Sequence, residues 1–187
     1  MTECPEEFRW LSGCEDLDEI YCVSFVRDLT PDEVLRRFSV DVSTADECDP
    51  ADYVGTAKIG DWTLTVEPGG WQLAADPETY TRVGRGTEIV SVSRHDYASD
   101  TFAYIVDGEP VVWFDPMFPE ERSGTDPDRF VGEMREVGLD PDHDIDDSED
   151  IRFPIERSFA LASRITGLRF SPEMLELCSY RIESGED

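Results

Sequence analysis

The chain has 187 residues, a length that fits one domain and permits a substantial core. Hydrophobic residues make up 39% and aromatics 11%, which argues against global disorder despite a formal charge of -28. That charge disfavours binding to phosphate backbones or anionic membranes and directs expectation toward basic partners or cations.

The opening residues MTECPEEFRW carry no basic start and no apolar run, so no signal peptide is expected. Nowhere does the sequence approach the roughly 18 apolar residues of a membrane helix, and a cytoplasmic protein is the expectation. IYCVSFV (20–26) is rich in strand formers. Thr30-Pro31-Asp32-Glu33 has the spacing of a capping box and predicts a helix over PDEVLRRF, with Val34, Leu35 and Phe38 on one face. AKIGDWTLTVE reads as a hairpin around Gly60-Asp61, with Trp62, Leu64 and Val66 alternating against Thr63 and Thr65. Asp76-Pro77-Glu78 opens a short helix that Gly84 can end. EIVSVSR (88–94) alternates imperfectly, and TFAYIVDGEPVVWF is a hairpin turning at Asp107-Gly108.

Asp126-Pro127-Asp128 predicts a helix over PDRFVGEMREV, capped by Gly138. IERSFALASRIT places Ile155, Phe159, Ala162 and Ile165 on one face before Gly167, and Ser171-Pro172-Glu173 opens PEMLELC. Hairpin-linked strands among helices imply an α+β fold. The expectation is a mainly antiparallel sheet of about five or six strands covered by four or five helices, in a single domain over 1–187.

WL near the start, LTPDEVLRRF, GDWTLTVEPGGW, FDP, GTDPDRF, MREVGLDP and LASRITGLRFSPEMLE occur in that order. As a set, from Trp10 to about Leu177, they resemble an actinobacterial family of small proteins classified only as a domain of unknown function. The resemblance implies a compact cytoplasmic α+β domain and brings no activity. The acidic segments and low alanine content depart from that pattern and fit a divergent host or a phage gene.

Charge is concentrated in three segments. Residues 1–19 contribute -6, residues 41–52 contribute -5 and residues 140–150 contribute -7, leaving -10 for the rest of the chain. Asp140, Asp142, Asp144 and Asp146 match alternating positions of a calcium loop. Ile145 and Ile151 stand where that loop needs glycine and a bidentate glutamate, so a solvated connector is the better reading and metal the weaker one. The five cysteines form no C-x-x-C pair and the two histidines are far apart, which disfavours zinc. His95 and Asp96 are adjacent, and adjacent side chains on an extended strand point apart. Neither a G-x-S-x-G elbow nor a phosphate loop occurs, and no cofactor is expected.

One pair has ligand-binding potential. Glu67 in TVEPGGW and Asp115 in WFDP both stand where a strand meets proline. If their strands were neighbours, they would join Trp71 and Trp113 at one sheet end. The competing reading is structural, with each carboxylate accepting turn amides.

Three functions follow from these features. The leading one is a non-enzymatic interaction module, of immunity or inhibitor type, for a basic protein partner. The others are a nucleic-acid mimic and a small enzyme or ligand binder centred on Glu67 and Asp115.

Overall fold

Two tight turns assemble the first pieces of the sheet. Strand β2 (Tyr53–Ile59) returns through Gly60, at φ 58°, into β3 (Trp62–Pro68), with Ile59 opposite Trp62. Strand β5 (Thr101–Val106) reaches β6 (Glu109–Phe114) through Asp107 and Gly108, at φ 52° and 78°. Positive φ at both central residues suits the strand twist, hence the Asp-Gly sequence.

A computed structural model describes residues 5–14, 16–17, 19–38, 53–96, 99–142 and 151–182. Strands β1 (Tyr21–Arg27), β4 (Glu88–Arg94) and β7 (Ser179–Ile182) complete one sheet in the order β6-β5-β4-β1-β3-β2-β7, antiparallel at every pairing. The expected α+β fold with an antiparallel sheet is therefore present. Six strands have six or seven residues, and the four-residue β7 adds an edge that sequence pattern did not announce.

Both faces of the sheet are covered. Paired residues of an antiparallel ladder share a face, and successive residues alternate between faces. Val23, Phe25, Leu64, Val66, Val90, Val92 and Phe102 form one core with Phe8 of an N-terminal 3-10 helix (Glu6–Gly13) and Phe159 of α5 (Pro154–Thr166). Phe159 stacks between Phe8 and Phe170 at 5.9 and 5.0 Å. Val26, Ile89, Ala103 and Ile105 form the other core with α1 (Pro31–Phe38), α2 (Gln72–Ala75) and α3 (Pro77–Gly84). Helix α4 (Val131–Val137) packs on α5, and α6 (Pro172–Glu176) adds Leu175 to the first core.

The expected helix ends form with three corrections, the first being that Ser171 opens α6 without a side-chain cap hydrogen bond. Thr30 Oγ1 accepts the Glu33 amide at 3.2 Å, but the Glu33 carboxylate turns to Arg36 and Arg37, at 2.7 Å each, so half of the capping box is built. The helix expected from Pro127 begins only at Val131. Thr125 and Asp126 donate to the Pro110 and Val111 carbonyls, and Arg122 pairs with Asp128 at 2.6 Å, which holds the segment along β6 as turns.

Candidate functional site

Strands β3, β4 and β6 end, and β1 and β5 begin, at one end of the sheet, and the sequence candidates collect there. Glu67 is buried near the end of β3, its oxygens accepting the Gln72 and Leu73 amides at 2.7 and 3.1 Å. The first-turn amides of α2 lack intrahelical partners, and a carboxylate beside them satisfies both their hydrogen bonds and their partial positive charge. Gly70 is required by this turn, because a Cβ there would stand 2.9 Å from the Glu67 Cβ. Trp71 lies exposed before α2 and meets the His95 ring edge-on at 5.5 Å. Trp113 reaches the far side of the same helix, donating Nε1–H to the Ala74 carbonyl at 3.4 Å.

Glu67, Trp71 and Trp113 thus converge on α2, but Asp115 does not join Glu67. Strands β1, β4 and β5 lie between β3 and β6. Four strand spacings of about 4.8 Å separate the two strands by roughly 19 Å, too far for a shared proton. The expectation that these strands are neighbours is corrected. Asp115 Oδ1 instead accepts the Met117 amide at 2.9 Å and closes its own turn.

Below α2 the sheet face is polar, which accounts for the imperfect alternation of EIVSVSR. Register aligns Glu67 with Cys22 and Ser93, and Thr65 with Ser24 and Ser91, all buried. Ser24 and Ser91 share a hydrogen bond of 2.6 Å, and Cys22 Sγ lies 3.2 Å from Ser91 Oγ. Thr65 Oγ1 has no hydrogen-bond partner among the described residues. Burial, and then the Glu67 charge, push the Cys22 thiol well above its ordinary range. It remains protonated and is a poor nucleophile.

Beyond β4, the His95 amide donates to Asp100 Oδ1 at 3.0 Å, while His95 Nδ1 stands 3.6 Å from Asp96 Oδ1. His95 and Asp96 therefore do approach each other, because the chain has left its extended conformation. Burial and then the neighbouring Asp115 charge raise the Asp100 carboxyl, although the His95 amide hydrogen bond opposes the shift. Tyr21, Arg94, Asp100 and Glu156 line a cavity of about 320 Å³ here, and burial raises the Tyr21 phenol. No sequence signal marks Asp100, since its environment comes from β4, β5 and the Asp115 turn.

Of the calcium-like run, Asp140 Oδ1 accepts the Asp142 amide at 3.1 Å and Asp142 pairs with Arg135 at 2.5 Å. Asp144 and Asp146 lie outside the described residues. No group of three or more metal-ligating side chains occurs among the described residues.

Charge is divided between the two helical layers. Segments 5–19 and 119–176, which include the 3-10 helix and α4 to α6, expose twelve described acids against six bases. The helices α1 to α3 balance Asp32, Glu33, Asp76 and Glu78 against Arg36, Arg37, Arg82 and Arg85. No helix among the described residues is long and apolar enough to cross a membrane.

The model of a family of unknown function, DUF6461, matches residues 1–184. The chain belongs to this family. No curated protein and no solved structure matches it.

Proposed function

We propose that this DUF6461 member is a non-enzymatic interaction module of the cytoplasm, of immunity or inhibitor type, whose acidic layer meets a basic protein. An actinobacterial origin belongs to the same reading and rests on the motif order. The carrying observation is the twofold excess of exposed carboxylates over exposed bases among the described residues of segments 5–19 and 119–176, which contain the 3-10 helix and α4 to α6. Glu67 and Asp115, by contrast, are engaged by backbone amides. A surface potential of one sign accelerates encounter with an oppositely charged partner and makes the complex salt-sensitive.

A nucleic-acid mimic is the weaker reading. It needs carboxylates following duplex phosphate density, about one charge per 1.7 Å of axis. Ion pairs of Arg122 with Asp128 and Arg135 with Asp142 interrupt the acidic surface.

The test immobilises the full chain, passes host lysate over it at low salt and elutes with a salt gradient. A parallel column carries the Glu7→Lys, Glu136→Lys, Glu176→Lys triple variant. A basic protein released by salt from the wild type and not retained by the variant is the expected result. Equal retention on both columns, or no basic protein on either, refutes the proposal.

A further inference from the structure

A second concave surface lies on the opposite layer, and its chemistry is reversed. Between α1 and α3 is an open cavity of about 780 Å³, lined by Arg36, Arg37, Arg82 and Arg85 together with Glu78 and Thr81. Four of the sixteen basic residues of a strongly acidic chain meet there. We propose that this groove binds a phosphate dianion, either free or as a phosphomonoester.

The scaffold fixes two of the guanidinium groups. Arg37 Nη1 donates to the Val83 and Arg85 carbonyls at 2.9 and 2.6 Å, and Arg82 Nε donates back to the Arg37 carbonyl. These reciprocal bonds join the C-terminal ends of α1 and α3. Arg37 Nη2 and Arg82 Nη1 make no hydrogen bond among the described residues, which leaves donors on immobilised groups. Preorganised donors lose little entropy when an anion arrives.

Arginines at helix C-terminal ends also balance the negative dipole end. That role accounts for Arg37 and Arg82, which hydrogen-bond the terminal carbonyls. It does not account for Arg85, whose side chain forms neither a hydrogen bond nor an ion pair among the described residues. Nor does it require Arg36, whose side chain is 70% exposed and pairs with Glu33.

Donor geometry selects the ligand. Four guanidinium groups line the groove with one carboxylate, Glu78, while Glu33 pairs with Arg36 and Arg37 and Asp76 caps α3 near Arg82. A carboxylate offers two acceptor oxygens to these planar donors, whereas a phosphate dianion offers three and carries a second charge. The distant acidic layer weighs little at physiological ionic strength, where the screening length is about 8 Å. This inference is independent of the acidic layer and stands or falls separately from the basic partner.

The full chain is titrated at physiological salt with inorganic phosphate, pyrophosphate, glycerol phosphate and acetate, followed by amide shifts and calorimetry. Arg36→Ala and Arg85→Ala are the variants, because neither side chain joins the two helices, and thermal melts check that both fold. Saturable phosphate binding that localises to α1 and α3 is expected, weakened about tenfold or more in each variant, with acetate inert. Glycerol phosphate binding tighter than inorganic phosphate assigns an esterified ligand, and the reverse order assigns the free anion. Acetate binding as tightly as phosphate, phosphate affinity unchanged in both folded variants, or no saturable binding at millimolar phosphate overturns the proposal.

Discussion

Glu67 offers the sharpest test of how the sheet end is built. Its carboxylate is 3% exposed and satisfies two amides of α2, one of them fully buried. Each hydrogen bond to a charged group contributes about 1.5–3 kcal/mol, and a buried amide left without an acceptor costs about 1–3 kcal/mol. Glu67→Ala removes both acceptors and opens a void beneath α2, for an expected loss of about 3–5 kcal/mol. Glu67→Gln keeps the shape and one oxygen but turns an amino group toward the second amide, for about 1.5–3 kcal/mol. Those losses are a large part of a usual domain stability of about 5–15 kcal/mol. Urea unfolding followed by tryptophan fluorescence measures the ladder, since Trp71 and Trp113 flank the same helix. Wild type above Gln above Ala is the expected order. Two variants within about 0.5 kcal/mol of wild type would mean that α2 is held by Leu73 and Ala74 packing alone, and the capping argument would fail.

Three further outcomes follow from individual side chains. Gly138 sits at φ 83° with Arg157 against the place a Cβ would occupy, so Gly138→Ala should destabilise by about 2–4 kcal/mol in the same urea assay. The Asp100 carboxyl is raised on folding, so its neutral form is favoured in the native state. The stability it contributes is full below the unfolded value of about 3.9 and is lost as pH rises through the higher folded value. Asp100→Asn should therefore gain stability over wild type on going from pH 4 to pH 7 in paired thermal melts, and an unchanged difference would refute the assigned environment. Among Cys14, Cys22 and Cys178, iodoacetamide should modify Cys14 first. Burial pushes Cys178 up to about 12 and leaves Cys22 without exposure, so peptide mapping should find Cys22 modified only after unfolding.

Local signals were legible where one residue type solves one backbone problem. Asp107-Gly108 gave the hairpin because its turn needs two positive φ values, and Asp76 gave the start of α3 by accepting the Thr79 amide at 2.9 Å. Asp126-Pro127 looked equally good as a helix start and was not one. Its backbone is held by carbonyls of β6, a strand more than ten residues away in sequence. The site candidates divided in the same way. TVEPGGW marked a turn whose glutamate does accept amides, whereas the pairing of Glu67 with Asp115 depended on strand order.

By itself the sequence determined most of the element types and boundaries, the antiparallel sheet and the uneven charge, because propensity, turn chemistry and composition act over a few residues. The tertiary structure alone decided that β1, β4 and β5 part the two carboxylates, that serines and a protonated thiol lie buried under α2, and that four arginines share one groove. Those outcomes depend on contacts between residues tens of positions apart, and no short window of the chain contains them.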